Sequence, residues 1–149
     1  MPPDEVRLAA AVQRTIDRAT RSAWPKEMVG ALGGTHRDGT VLVEHVVPIA
    51  AAGQRDSFAV TPTAFLLAEA ELTAAGHQWL GFVHSHPGGT AAPSARDRRE
   101  LWHRCLQLIV GGPRPDELQT AAFWLEDDAC APLRLGRCHA EARASESAG

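Results

Sequence analysis

The chain has 149 residues, 44% of them apolar and 22% charged, with a net charge of −3. That length and balance describe one globular domain able to bury a core without disulfide staples. An acidic chain with no basic, aromatic-interleaved stripe argues against nucleic acid or an acidic membrane surface as a partner.

No basic region followed by an apolar run opens the chain, and no stretch approaches the ~18 apolar residues that span a bilayer. Cys105, Cys130 and Cys138 are odd in number, widely spaced and form no CxxC pair. A reducing, cytoplasmic compartment is the expectation. Fourteen arginines stand against one lysine, Lys26, which bears on genome composition and not on mechanism.

In chain order, Leu8, Val12, Ile16 and Ala19 recur at helical spacing, so residues 4–20 are predicted as one amphipathic helix interrupted by Pro25. Residues 27–35 are small and apolar, fitting a strand or a short helix running into one. Val41–Val43 and Val46–Val47 predict a strand ending at Pro48, followed by a loop over 50–57. Thr61-Pro62 reads as a capped helix start, with Phe65, Ala68 and Leu72 as its buried stripe and Gly76 as its end. Residues 79–86 predict a strand and 87–93 a Gly/Pro-rich loop. Ser94 opens a helix expected to reach about Arg104. Strands are expected at 106–110, 120–125 and 132–135. Residues 1–139 then form the domain, with 140–149 as a frayed tail. The element order suggests a mixed central sheet flanked by helices, an α/β or α+β arrangement. Trp79, Trp102 and Trp124 are expected in the core. His36, His45, His77, His103 and His139 lack partner spacing and are expected at the surface or at edges.

The chemistry concentrates at His84-Ser85-His86-Pro87, at the end of a predicted strand. Period two puts His84 and His86 on one face, where both imidazoles can share a metal ion, and turns Ser85 the other way. Eight residues on comes Ser94, and three further Asp97, in the first turn of the next helix. Ser-x-x-Asp at a helix start is also a capping pattern, and Asp there suits the helix dipole. If the loop folds back, Asp97 completes a His-His-Asp set with a fourth position open to water, the pattern of a catalytic zinc site. Such chemistry needs a base and an oxyanion donor. Glu27, a carboxylate beside the apolar Met28–Leu32, is the leading candidate base. Ser94 is the candidate donor.

Together these residues read HxHx7SxxD with Glu far upstream, and the chain resembles the JAMM (MPN-plus) zinc metalloprotease family, in its short stand-alone bacterial branch. Pro25-x-Glu27-x-x-Gly30-x-Leu32-x-Gly34 is similar to the family's glutamate-bearing segment. The likeness covers roughly residues 6–127. It implies a cytidine-deaminase-like sandwich and one zinc ion on His84, His86 and Asp97. It also implies Glu27 as acid/base and Ser94 as oxyanion support. The implied substrate is the C-terminal Gly-Gly tail of a ubiquitin-like or sulfur-carrier protein. Two alternatives stay open: a non-catalytic interaction module on the same fold, and a zinc amidohydrolase acting on a small amide. A base deaminase of related fold wants HxE followed by PCxxC; here the residue two after His84 is His86, and no PCxxC exists. A homodimer through an open sheet edge is a further expectation.

Overall fold

The computed structural model describes residues 2–49, 60–127 and 129–138. The expected loop over 50–57 and the tail 140–149 lie outside them. The described chain runs β1 (Glu5–Ala9), α1 (Ala10–Ala23), β2 (Val29–Arg37), β3 (Thr40–Ile49), α2 (Pro62–Ala74), β4 (Gln78–Pro87), α3 (Ala95–Glu100), β5 (Leu106–Arg114), β6 (Glu117–Glu126) and β7 (Ala129–Cys138).

The strands form one mixed sheet in the order β1-β3-β2-β4-β5-β6-β7 that closes on itself. Closure is made by β1, which pairs in parallel with β3 and with β7. This overturns the single helix expected over 4–20. Val6 and Leu8 are buried while Glu5 and Arg7 are not, a strand alternation over four residues. Leu8 also stands four residues before Val12, so the short alternation hides inside the helical period. Ala9 caps α1 without a side-chain hydrogen bond, so no capping signal marked the boundary. The closure is partial along β3: β1 pairs with residues 40–43, and residues 45–49 pair with β2 alone.

The sheet buries apolar side chains on both faces. On one, Val12 and Ile16 of α1 pack with Leu8, Met28, Leu32, Val83 and Leu108. On the other, Ala68 and Leu72 of α2 pack with Val29, Ala31, Phe82 and Cys105, with Phe65 partly buried against them. Thr61 caps α2 as expected, its hydroxyl accepting the Ala64 N–H at 3.1 Å. Trp124 is buried, but Trp102 is 39% exposed and departs from the expected core placement.

The β4–β5 pair is parallel. Parallel neighbours require a crossover, and residues 88–105 supply it with a loop and α3. The helix stops at Glu100, short of the expected Arg104. Leu101 is extended (φ −69°, ψ 149°) and Arg104 has φ 59°. Burial of Leu101 and Cys105, and a 3.1 Å hydrogen bond from the buried Gln107 amide to the Trp102 carbonyl, draw the chain out of the helix and down to β5. The crossover therefore leaves α3 standing over the C-terminal end of β4.

Candidate active site

Beyond the register shift near Gly81, side chains of β4 alternate from Phe82 to His86 as the period-two reading requires. His84 is buried on the α2 side with Phe82, and His86 follows on the same face. Their Nε2 atoms lie 3.1 Å apart. The Nδ1 of His86 is 2.9 Å from the Thr90 carbonyl oxygen. A carbonyl only accepts, so Nδ1 carries the hydrogen; Nε2 then offers a lone pair to a metal ion in the neutral ring and a hydrogen to Asp97 when the ring is protonated.

Thr90 is held there by close packing. Gly111 is the register partner of His86 on β5. A Cβ on Gly111 would come within 2.3 Å of the Thr90 carbonyl carbon and 2.5 Å of Ala91 N, so only glycine lets the loop lie this close. The Gly88 N–H also donates to the Gly112 carbonyl at 2.9 Å, with Gly88 in the left-handed region at φ 77°.

Asp97 arrives from α3 through a reciprocal capping box. Ser94 Oγ accepts the Asp97 N–H at 3.0 Å, and Asp97 Oδ2 accepts the Ser94 N–H at 2.9 Å. The same carboxylate reaches His84 Nε2 with Oδ1 at 3.3 Å and His86 Nε2 with Oδ2 at 2.9 Å. A carboxylate has lone pairs enough for both duties. Capping and convergence on the histidines, which compete as readings of the sequence, coexist in the structure. Burial alone would raise the Asp97 carboxyl, but the hydrogen bonds from His84 and His86, the His84 charge and the Ser94 N–H hold it well below the usual carboxylate range. The hydrogen bond to Asp97 raises the His86 imidazole against desolvation, with the Thr90 carbonyl and the charges of Asp97 and Glu27 adding to it.

One ligand atom from each of His84, His86 and Asp97 lies within 4.8 Å of the others. Two nitrogens bound to zinc at tetrahedral angles sit about 3.3 Å apart, close to the observed 3.1 Å. Two imidazoles with a carboxylate suit zinc better than the oxygen-only sets of calcium or magnesium. The residues fit a metal ion.

A cavity of about 460 Å³ opens beside them, lined by His86, Asp97, Ser94 and Glu27 among others. Glu27, 57 residues upstream of His84, is thus brought to the same wall, and its charge is felt at His86. The other described histidines lie elsewhere; His45 and His77 pair with each other, ring centroids 5.5 Å apart. Sequence reasoning missed Thr90, which acts through its backbone, and Gly111, whose small size showed no function until Thr90 was seen above it.

Two imidazoles and a carboxylate converging at the mouth of a cavity, with a second carboxylate on its wall, make the arrangement of a metal-dependent hydrolase. The chain belongs to the JAB/JAMM family in its prokaryotic branch, for the profile described as prokaryotic homologs of the JAB domain matches residues 9–126. It is 34% identical over 105 residues to the desampylase of Haloferax volcanii, covering 70% of this chain and 73% of that one. It is 35% identical over 89 residues to a probable TtuB-protein conjugate cleaving protease of Thermus thermophilus, covering 58% and 57%. Its backbone matches the solution structure of a Desulfitobacterium hafniense protein with a TM-score of 0.82 at 27% identity, over 89% of this chain and 92% of that one. The protein is accordingly a hydrolase of the JAMM type.

Proposed function

We propose that the protein is a zinc-dependent isopeptidase that cleaves the bond formed by the C-terminal Gly-Gly tail of a ubiquitin-like protein, in the cytoplasm. The observation that carries this reading is the convergence of His84, His86 and Asp97 beside a cavity that His86, Asp97, Glu27 and Ser94 line. The substrate class is supported by the family resemblance and by relatives named for desampylation and for cleaving TtuB–protein conjugates.

His84 Nε2, His86 Nε2 and the Asp97 carboxylate would hold the zinc ion. Zinc bound there supplies a more acidic water and a polarised scissile carbonyl. Glu27, on the cavity wall, accepts the proton of the attacking water and delivers it to the amine nitrogen as the C–N bond breaks. Ser94 Oγ has one lone pair engaged by the Asp97 N–H; its own O–H donates to the carbonyl oxygen as negative charge develops there.

The test uses a ubiquitin-like protein joined through its terminal Gly-Gly to the lysine of a peptide by an isopeptide bond. The zinc-loaded protein should release the peptide, and a chelator should stop it. Glu27→Gln should lose about 10³-fold or more in kcat with zinc content unchanged. A Gln variant working at near wild-type rate would remove Glu27 from the mechanism. Cleavage of small amides only would move the substrate class away from protein conjugates.

A further inference from the structure

Ser85 stands between the two histidines, faces away from them and is fully buried (0% exposed) on the α1 side of β4. Its surroundings there are the side chains around Met28 and Val83. A hydroxyl in such a place needs a partner, and it has one that matters for the site. Ser85 Oγ accepts the Met28 N–H at 2.8 Å, while the Ser85 N–H donates to the Met28 carbonyl at 3.0 Å. One residue therefore holds both polar groups of the Met28 backbone, one through its main chain and one through its side chain.

The place of this grip in the sheet gives it a consequence. The β2–β4 ladder is antiparallel and runs from Gly34–Gln78 up to Val29–His84. Met28 is one step beyond its last pair, and Glu27 one step further. A hydrogen-bonded antiparallel pair exchanges two main-chain bonds; here the second is made by the serine hydroxyl instead. It extends the ladder by one residue at the point where the chain leaves the sheet toward the cavity wall. Alternation then puts Glu27 on the face of Val29 and His84, opposite to that of Met28. Glu27 and the histidines are thereby linked across one step of the ladder as well as through the long intervening chain.

We infer that Ser85 is a positioning residue for Glu27: its hydroxyl fixes the Met28 peptide and so holds the Glu27 carboxylate in register with His84 and His86. The inference rests on the reading of Glu27 as the proton carrier. A carboxylate displaced by about 1 Å from a productive geometry can cost on the order of 10²-fold in rate. Threonine keeps an oxygen at the same position and alanine does not, so the two substitutions separate the hydroxyl from the bulk of the side chain.

The experiment compares Ser85→Ala, Ser85→Thr, Glu27→Gln and the Ser85→Ala/Glu27→Gln double variant, each assayed for zinc content, kcat and KM on the isopeptide substrate. Ser85→Ala should bind zinc as the wild type does, keep KM within about twofold and lose about 10–100-fold in kcat. Ser85→Thr should return kcat to within about threefold of wild type. In the Glu27→Gln background the alanine change should cost nothing further, because there is no carboxylate left to position. An inactive Glu27→Gln with a fully active Ser85→Ala overturns the role of Ser85 alone, as does an equal loss in both backgrounds. A fully active Glu27→Gln overturns the assignment of the base itself. Should Ser85→Ala not fold, the Ser85→Thr kinetics and native-state exchange of the wild-type Met28 amide decide. Wild-type-like kcat in Ser85→Thr, with protection matching Val29, supports the clamp; exchange as fast as an exposed amide overturns it.

Discussion

Among the described residues two pairs of imidazoles touch. His84 and His86 have ring centroids 4.9 Å apart, and His45 and His77 5.5 Å. The first pair shares one strand, at alternate positions. The second is assembled from β3 and the turn before β4, near the opposite end of β4. Near-contact of two rings is therefore common to both. What separates them is a helix that brings a carboxylate to the first pair, a loop carbonyl that sets the ring orientation of His86, and a cavity alongside. Among the described residues His84, His86 and Asp97 form the one group of three metal-ligating side chains.

The two pairs differ most at Asp97. An asparagine oxygen can still accept the Ser94 N–H and keep the helix start, but it brings no negative charge to the histidines. Asp97→Asn should cost at most about 1 kcal/mol of folding stability as a capping change and about 100-fold or more in zinc affinity, measured by competition with a chromophoric chelator. Retained affinity would leave Asp97 as a helix cap only.

Acidification tests the same difference without mutation. The Asp97 contact raises the His86 imidazole above its ordinary value, so a proton occupies Nε2 below that raised pKa and must leave before a metal ion binds. Zinc affinity should fall as pH drops through that range, by about tenfold per pH unit for each proton displaced. A pH-independent affinity across that range would exclude His86 as a ligand.

Gly111→Ala probes the loop. Its methyl group would meet the Thr90 backbone and push the carbonyl off His86. Loss of such an outer partner should weaken zinc binding about 10–100-fold, read by the same competition titration. Unchanged binding would show that the Thr90 carbonyl does not orient the ring. The smallest effect belongs to the second pair. His77→Ala should leave zinc content and turnover within about twofold of wild type and shift stability by no more than about 0.5 kcal/mol. A loss of bound metal would mean that the two pairs do not differ as described.

Much of the site was legible because its strongest signals are local. The face shared by His84 and His86 follows from strand alternation, and the Thr61-Pro62 cap places α2 correctly. Ser94 and Asp97 were legible as a pair but not in their duties, since a capping box and a ligand-bearing turn look alike along the chain. The family pattern, and not spacing alone, favoured the second. Local reading went wrong where two periods overlap, as at Leu8 between β1 and α1. It also went wrong where burial overrides helix continuation, as at Leu101, which ends α3 early.

The shared face of His84 and His86 and the helix start that carries Asp97 were therefore determined along the sequence, by a period of two and a capping pattern that a short segment expresses on its own; that Asp97 meets the histidines was decided by the crossover. The approach of Glu27 to them, the Ser85 grip on Met28, the fit of Thr90 over Gly111 and the closing of the sheet by β1 were decided only in the tertiary structure. Each of those depends on which strands lie side by side and in what register. Such pairings join residues far apart in the chain, and no repeat of residue types along one strand records them.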